Sequence, residues 1–493
     1  MITVDRDRRI IEDGAVAIDG GRILEVGSAT DVAPRYQARH NLDARNMILI
    51  PGLVDLYGHG GASLLKCVGE HLGGATWRGM LDDVGFRFAT PRWWYVDTLV
   101  HALERLKFGC TFALTQCGVS QARMDDPTYT KQVQRAFEDL GMRARIIAGI
   151  ARAPWPQTYA SYVDGVRSEK VVGHEECLDV IEEVVSNSKS SPSPLVDYCV
   201  GTSRIGNANP VDPVYVPEQS KYVRPQAERL RSIMERYDVG FWCHAYGDAI
   251  EFAHDQELGL LGRKSILSHC SGISRRSIEI LATTGTSVNH CPRARRLVTY
   301  NQDCPVVELI DARVNVGLGS DGNYIDRSAD PFLDLKAAIR LQQLRFVDSR
   351  VLPPGKALEM ATIDACRALG LDSDLGSIEA GKMADIVLVD IFKPHLWPLR
   401  MPLHQLVYLA TGADVAHVFI NGEHVIDQGR STRIDELSLL QEAEEELQRL
   451  MSLPDLRLKE YSATPGQLWG HSRRYDQQVD VAPRWRMPDR WTI

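Results

Sequence analysis

The 493 residues contain no C-x-x-C pair, no run of about 18 apolar residues and no long Lys/Arg block. The ten cysteines are scattered, which excludes a disulfide framework or a zinc knuckle and is consistent with reduced thiols. Without a long apolar run there is no candidate membrane span. The N-terminus, Met1 to Arg9, carries charges where a secretory signal would be apolar, so a cytoplasmic protein is expected. Fifty-six basic against 65 acidic residues give a net charge of −9. A general electrostatic attraction to nucleic acid or to anionic membranes is therefore excluded, and a small-molecule partner is expected instead. With 44% hydrophobic and 25% charged residues the chain is neither disordered nor coiled coil. Its length allows two or three domains, or one barrel with additions.

Short β-type runs open the chain, at Ala15–Ile18 and Ile23–Gly27 around Asp19-Gly20-Gly21, which is a hairpin signature. Similar runs return at Ala384–Asp390 and around the Asn421-Gly422 turn, so the two ends are expected to share one small sheet. Between them, eight apolar runs alternate with helical periodicity: Ile48–Leu56, Thr111–Gln116, Arg143–Ile150, Leu195–Ser203, Val239–Ala245, Ser265–Cys270, Thr286–Cys291 and Val314–Gly322. Helical stretches fall at Val96–Lys107, Lys131–Leu140, Gln226–Tyr237 and Ser274–Ala282. Eight such units predict an α/β protein built as a (β/α)8 TIM barrel. The expected division is a composite β-sandwich from residues 1–50 and 382–435, a barrel over 51–381, and a C-terminal helix with an aromatic and Arg-rich tail over 436–493. The helix is expected over 436–451 with its glutamates in solvent. The tail from Trp469 either wraps a neighbouring subunit in a homodimer or larger homo-oligomer or covers its own barrel. The stretch Ser186–Pro194 is read as a surface loop.

A barrel presents its chemistry at the C-terminal ends of its strands. There the chain places His59, His244, His269, His290 and Asp321, although it has only 14 histidines in all. A single histidine is commonly just packed or solvated, but four at strand ends form a set. Neutral imidazoles with one carboxylate suit Zn²⁺ or another divalent first-row ion, and an open position lowers a water's pKa toward about 7.

The segment Pro51-Gly52-Leu53-Val54-Asp55-Leu56-Tyr57-Gly58-His59 resembles the opening PGL-(V/I)-D-x-H-x-H motif of the amidohydrolase superfamily. His244 in CHAYGDA, Ser268-His269-Cys270, His290-Cys291-Pro292-Arg293, Gly319-Ser320-Asp321-Gly322 and the closing LGSIEAGKMADIVLVD of Leu375–Asp390 follow in the family's order. The likeness spans about residues 10 to 430 and points to the branch of triazine hydrolases and guanine deaminase. It implies His59, His244 and Asp321 as ligands of one divalent ion per chain, zinc first, with cobalt, manganese and iron as alternatives. It further implies that His269 orients or deprotonates the water, that His290 polarises the substrate, and that Asp321 carries a proton to the leaving nitrogen.

Two positions depart from that pattern. The leading histidine of the H-x-H pair is Tyr57, whose phenol, with a reference pKa near 10, is a poorer ligand than imidazole. The ion then keeps three protein ligands, recruits His269 or His290, accepts Tyr57 as phenolate, or is lost. The phenylurea and molinate hydrolases are similar in replacing this histidine, there by Asn. The second departure is Gly247, which stands where the ring deaminases of the family carry a proton-shuttling Glu; Asp248 is its neighbour. Glycine transfers no proton, which favours hydrolysis of an amide, urea or carbamate C–N bond over deamination of a purine, pyrimidine or triazine ring. A metal-free ligand-binding pseudoenzyme is the third reading.

Substrate residues are expected among Trp77, Asn323 and Tyr324, with Asp326 nearby. Trp93, Trp94, Trp155 and Trp242 either line an aromatic pocket or pack the core. Arg293, Arg295 and Arg296 either hold a substrate carboxylate or form salt bridges, and Thr202, Ser203 and Arg204 follow the fourth strand.

Overall fold

The computed structural model describes residues 1–68, 79–81, 84–118, 122–149, 153–163, 166–205, 220–294, 303–322, 328–453, 456 and 469. Its strands in chain order are β1 (Gly14–Asp19), β2 (Arg22–Ser28), β3 (Met47–Pro51), β4 (Leu53–His59), β5 (Cys110–Gln116), β6 (Arg143–Gly149), β7 (Gln157–Val163), β8 (Val166–Val172) and β9 (Val196–Arg204). They continue with β10 (Phe241–Tyr246), β11 (Ser265–Ser271), β12 (Ser287–His290), β13 (Val316–Leu318), β14 (Ile386–Asp390), β15 (Val415–Ile420), β16 (Glu423–Asp427) and β17 (Arg430–Ser431).

Eight strands form one parallel sheet in the order β13-β12-β11-β10-β9-β6-β5-β4. The seam between its edges closes through a parallel bridge between Gly58 and Asp321, where the Asp321 N–H donates to the Tyr57 carbonyl at 2.9 Å. The result is a TIM barrel. All seven residues of β4, β5 and β11 are buried, as strands covered on both faces must be. Helices Pro91–Lys107, Thr128–Leu140, His174–Ser190, Ser220–Tyr237 and Arg275–Thr284 flank the sheet. Arg275–Thr284 begins where the Ser274 hydroxyl accepts the Ser277 N–H and ends at Gly285, whose φ of 74° is the left-handed cap that glycine adopts without penalty.

The five-stranded antiparallel sheet β17-β16-β15-β14-β3 and the β1–β2 hairpin form the composite part. They pack on a small core of Ile23, Ile378, Ala384, Ile386 and Leu388. The single strand read over Ile48–Leu56 is two strands, because the chain turns at Gly52 from the antiparallel sheet into the barrel. A Cβ on Gly52 would fall 2.1 Å from the Thr111 hydroxyl oxygen, so the turn needs glycine's lack of a side chain.

The loop read over Ser186–Pro194 is corrected: the helix runs to Ser190, and only residues 191–194 lie outside it. A further antiparallel hairpin, β7–β8, lies between β6 and the following helix. The C-terminal helix spans Glu436–Met451 with Leu439, Ala443 and Leu450 buried. The tail beyond Trp469 lies outside the described residues. All ten cysteines are free thiols, nine of them buried. Among the described residues no helix is long and apolar enough to cross a membrane.

Candidate active site

Residues two apart on a strand share a face, so Tyr57 and His59 at the end of β4 both point into the barrel mouth. The Tyr57 Oη lies 2.6 Å from His59 Nε2 and 3.0 Å from His244 Nε2, and donates to Gln116 Oε1 at 2.8 Å. His59 pairs with Gln116 in the β4–β5 register, which brings the two strand ends level. The Tyr57 ring stacks on the fully buried Trp242 at 4.4 Å and 25°.

The ring protons are fixed by backbone. His59 Nδ1 is 3.0 Å from the Gly118 carbonyl oxygen and His244 Nδ1 is 2.9 Å from that of Ser203. A carbonyl only accepts, so each Nδ1 carries hydrogen and each Nε2 of the neutral ring turns a lone pair toward Tyr57. Asp321 Oδ1 stands 2.8 Å from His59 Nε2. Two imidazole lone pairs, a carboxylate oxygen and a phenol oxygen whose proton goes to Gln116 thus crowd together. A shared cation suits such a set. The spacings of 2.6 to 3.0 Å are hydrogen-bond distances, shorter than the about 3.3–3.4 Å between neighbouring ligands of a tetrahedral ion with bonds of about 2.0–2.1 Å, so the case for an ion rests on the chemistry of the donors. The donors present fit a divalent metal ion.

His269 completes a second layer. Its ring is stacked on His244 at 5.1 Å and 7°, and on Tyr246 at 5.3 Å and 14°. His269 and Asp321 have φ of 71° and 61°, a left-handed backbone uncommon for residues with a Cβ and held here by the packed surroundings. His290 is buried, and its Nε2 has no hydrogen-bond partner among the described residues. Burial, helped by the nearby His269, pushes its pKa down to about 3, so the ring is neutral at pH 7.

Beneath these groups runs a buried charge network. The Arg105 guanidinium, fully buried, donates through Nε to Asp55 Oδ2 at 2.6 Å and through Nη2 to the Ser320 hydroxyl at 3.2 Å. Asp55 also accepts the Ser320 N–H at 2.8 Å and its hydroxyl at 2.6 Å. The network ties the end of β4 to the loop that carries Asp321. A Cβ on Gly58 would come within 1.9 Å of Arg105 Nη2, so the guanidinium passes through the space a side chain would fill. Sequence reading missed Arg105, Ser320 and Gln116. The signals were present: Arg105 shares the helix stripe of Trp94, Thr98 and His101, and Gln116 is a polar residue ending an apolar strand.

The structure brings His59, His244, His269, Asp321 and Tyr57 together and leaves His290 buried next to His269. Trp77, Asn323, Tyr324, Asp326, Arg295 and Arg296 lie outside the described residues. Trp93 and Trp94 belong to the hydrophobic core, and Trp155 packs against it. Arg293 is committed elsewhere: it grips Asp334 through two bonds of 2.7 and 2.8 Å and also donates to the Ser328 and Asp330 carbonyls, so it is not available to a substrate carboxylate. Of Thr202, Ser203 and Arg204, it is the Ser203 carbonyl that serves the site, through His244. Gly247 has a φ of 54°, and the adjacent Asp248 is an exposed residue at the start of helix Ala249–Asp255.

Residues 222–425 match the amidohydrolase family, and residues 14–36 match the imidazolonepropionase-like composite domain of bacteria. A 5-methylthioadenosine/S-adenosylhomocysteine deaminase of Syntrophobacter fumaroxidans is 27% identical over 445 residues, covering 89% of this chain and 94% of its own. The crystal structure of a Xanthomonas campestris adenosine deaminase with bound zinc superposes with a TM-score of 0.77 at 23% identity, over 92% of this chain and 97% of that one. A triazine hydrolase from Arthrobacter aurescens gives a TM-score of 0.72 at 22% identity, over 90% and 97% of the two chains.

Proposed function

The chain belongs to the amidohydrolase superfamily, and from that premise we propose that it is a metal-dependent hydrolase of a carbon–nitrogen bond other than a peptide bond, acting on a small amide, urea or carbamate. The observation that carries this reading is that His59 Nε2 and His244 Nε2 both meet the Tyr57 oxygen while Asp321 Oδ1 stands 2.8 Å from His59 Nε2, with both Nδ1 protons held by backbone carbonyls.

His59, His244 and Asp321 would hold the ion, with Tyr57 as a neighbouring ligand or its hydrogen-bonded support. Bound there, a divalent ion supplies Lewis acidity, bringing a water's pKa toward about 7. Asp321 accepts a proton from the attacking water and returns it to the departing nitrogen, which an amine needs because its anion is a poor leaving group. His269, stacked on His244, lies beside that transfer and orients the water. His290 remains neutral, so its ring can donate a hydrogen bond to the substrate carbonyl without adding charge. Zinc, one ion per chain at this site, is the ion proposed. A cytoplasmic homo-oligomer is the form proposed, and the ten free thiols support that compartment.

A second reading, deamination of a heteroaromatic ring, is favoured by the relative named for 5-methylthioadenosine and S-adenosylhomocysteine deamination. Against it stand Gly247, which has no side chain to shuttle a proton, and the exposed position of Asp248. The two are separated by incubating the zinc-loaded protein with amides, substituted ureas, carbamates, purines, pyrimidines and triazines. Organic amine from the first three supports hydrolysis as proposed. Ammonia from the rings alone would replace it with deamination.

A further inference from the structure

A second group of metal donors lies outside the barrel, on the hairpin of β15 and β16 that closes at Asn421-Gly422. His417 Nδ1 is 3.1 Å from His424 Nε2 and 3.2 Å from Asp427 Oδ1, and His424 Nε2 is 3.8 Å from the same carboxylate oxygen. A tetrahedral zinc ion with ligands at about 2.0–2.1 Å has neighbouring ligands about 3.3–3.4 Å apart. The three observed edges bracket that value, so the atoms outline one face of such a tetrahedron. Among the described residues these are the three whose donor atoms meet within 4.8 Å as a His/Cys/Asp/Glu group.

The surroundings hold the rings in place. The Phe419 ring stacks on His424 at 4.3 Å and 11°. His424 also hydrogen-bonds to the backbone of Ile426. On the other side of His417, the Gln428 amide nitrogen is 3.3 Å from Nε2. An end-for-end turn of that amide offers its oxygen to an Nε2 proton, which leaves the Nδ1 lone pair facing His424 and Asp427. Burial pushes both imidazoles below their ordinary pKa, so both are neutral ligands at pH 7. The site is graded in exposure: the His417 side chain is 1% exposed, that of His424 30% and that of Asp427 53%. Two imidazoles with one carboxylate select zinc or a similar first-row ion over calcium or magnesium.

We propose that His417, His424 and Asp427 bind a Zn²⁺ ion, distinct from any ion in the barrel, with water completing the tetrahedron on the exposed side. Without an ion, the single proton at His417 Nδ1 serves only one of its two neighbours at a time, and the cluster is an ordinary hydrogen-bonded one. The test is zinc per chain, measured by elemental mass spectrometry on the full chain equilibrated with micromolar Zn²⁺ and then desalted. Wild type is compared with His424→Ala and Asp427→Ala. Both substituted side chains are partly exposed, and circular dichroism checks that each variant folds. The expected result is one ion fewer per chain in each variant than in wild type, with C–N bond hydrolysis unchanged. Equal zinc in wild type and both variants would overturn the proposal. The outcome is independent of the barrel reading: if the barrel holds no ion, wild type falls to one ion per chain and the variants to none.

Discussion

Replacing Tyr57 by Phe removes one oxygen from a fully buried ring and leaves the ring on its Trp242 stack. That oxygen touches His59 Nε2, His244 Nε2 and Gln116 Oε1 at 2.6, 3.0 and 2.8 Å. Losing a group that supports metal ligands costs about 10- to 100-fold in metal affinity, or about 1.4–2.8 kcal/mol. A ligand bonded to the ion would cost at least the upper end of that range. Independently, Gln116 would lose its acceptor bond while its Nε2 already has no partner among the described residues. Leaving a buried polar group unsatisfied destabilises by about 1–3 kcal/mol. The assay is competition for Zn²⁺ against a chromophoric chelator for wild type and Tyr57→Phe, with urea unfolding of the metal-free forms alongside. Both a weaker zinc affinity and a lower urea midpoint are expected. Unchanged zinc affinity would refute the idea that Tyr57 takes the place of the family's leading histidine.

Asp321→Asn keeps the size of the side chain but removes the proton carrier, and kcat is expected to fall at least about 100-fold while the circular dichroism spectrum is kept; undiminished turnover would remove Asp321 from the mechanism. Arg105→Leu strands the Asp55 charge in the core, and an unfolding assay should show a loss of about 3–5 kcal/mol; a loss below about 1 kcal/mol would show that the network is not a brace. Asp97 is buried, and burial lifts its pKa to about 6 from 3.8 even though it accepts the backbone N–H groups of Gly61, Ser63 and Leu64. The folded chain therefore holds a proton that the unfolded chain has released. This contribution is fully present below about pH 4 and is lost as pH rises through 6, about 3 kcal/mol in all. Urea midpoints between pH 4 and 7 should show that fall in wild type and a flatter profile in Asp97→Asn; parallel profiles would contradict it.

The barrel was legible because parallel strands buried on both faces must be apolar throughout, and such runs stand out between helical stretches. What escaped the sequence had weak apolar contrast. β8, Val166–Val172, is exposed along nearly its whole length, so it shows no hydrophobic run. The end of helix His174–Ser190 is serine-rich and largely solvated, which reads as loop until Pro192 and Pro194 mark the true stop. The break at Gly52 was invisible because strands on either side of it are equally apolar.

The site divides in the same way. Histidines at strand ends announce themselves by residue type, and His59 and His244 both reach the Tyr57 oxygen. Arg105 was hidden because a basic residue in a helix ordinarily faces water, and only its partner Asp55, fifty residues earlier and in the opening motif, makes burial tolerable. For Arg293 the residue type left two roles open, a substrate carboxylate or a salt bridge, and Asp334, on a helix after the eighth strand, decides for the salt bridge. The helix stripe of Trp94, Thr98 and His101 marks Arg105 as inward-facing, but the identity of a partner this distant in sequence has no local signature.

The measurement that bears most directly on the account is zinc bound per chain, determined for wild type beside the double variant His59→Ala/His244→Ala after identical purification and zinc equilibration. The convergence of the two Nε2 atoms on the barrel mouth predicts that the variant holds one ion fewer per chain and turns over no substrate. Equal zinc content in the two proteins would contradict it.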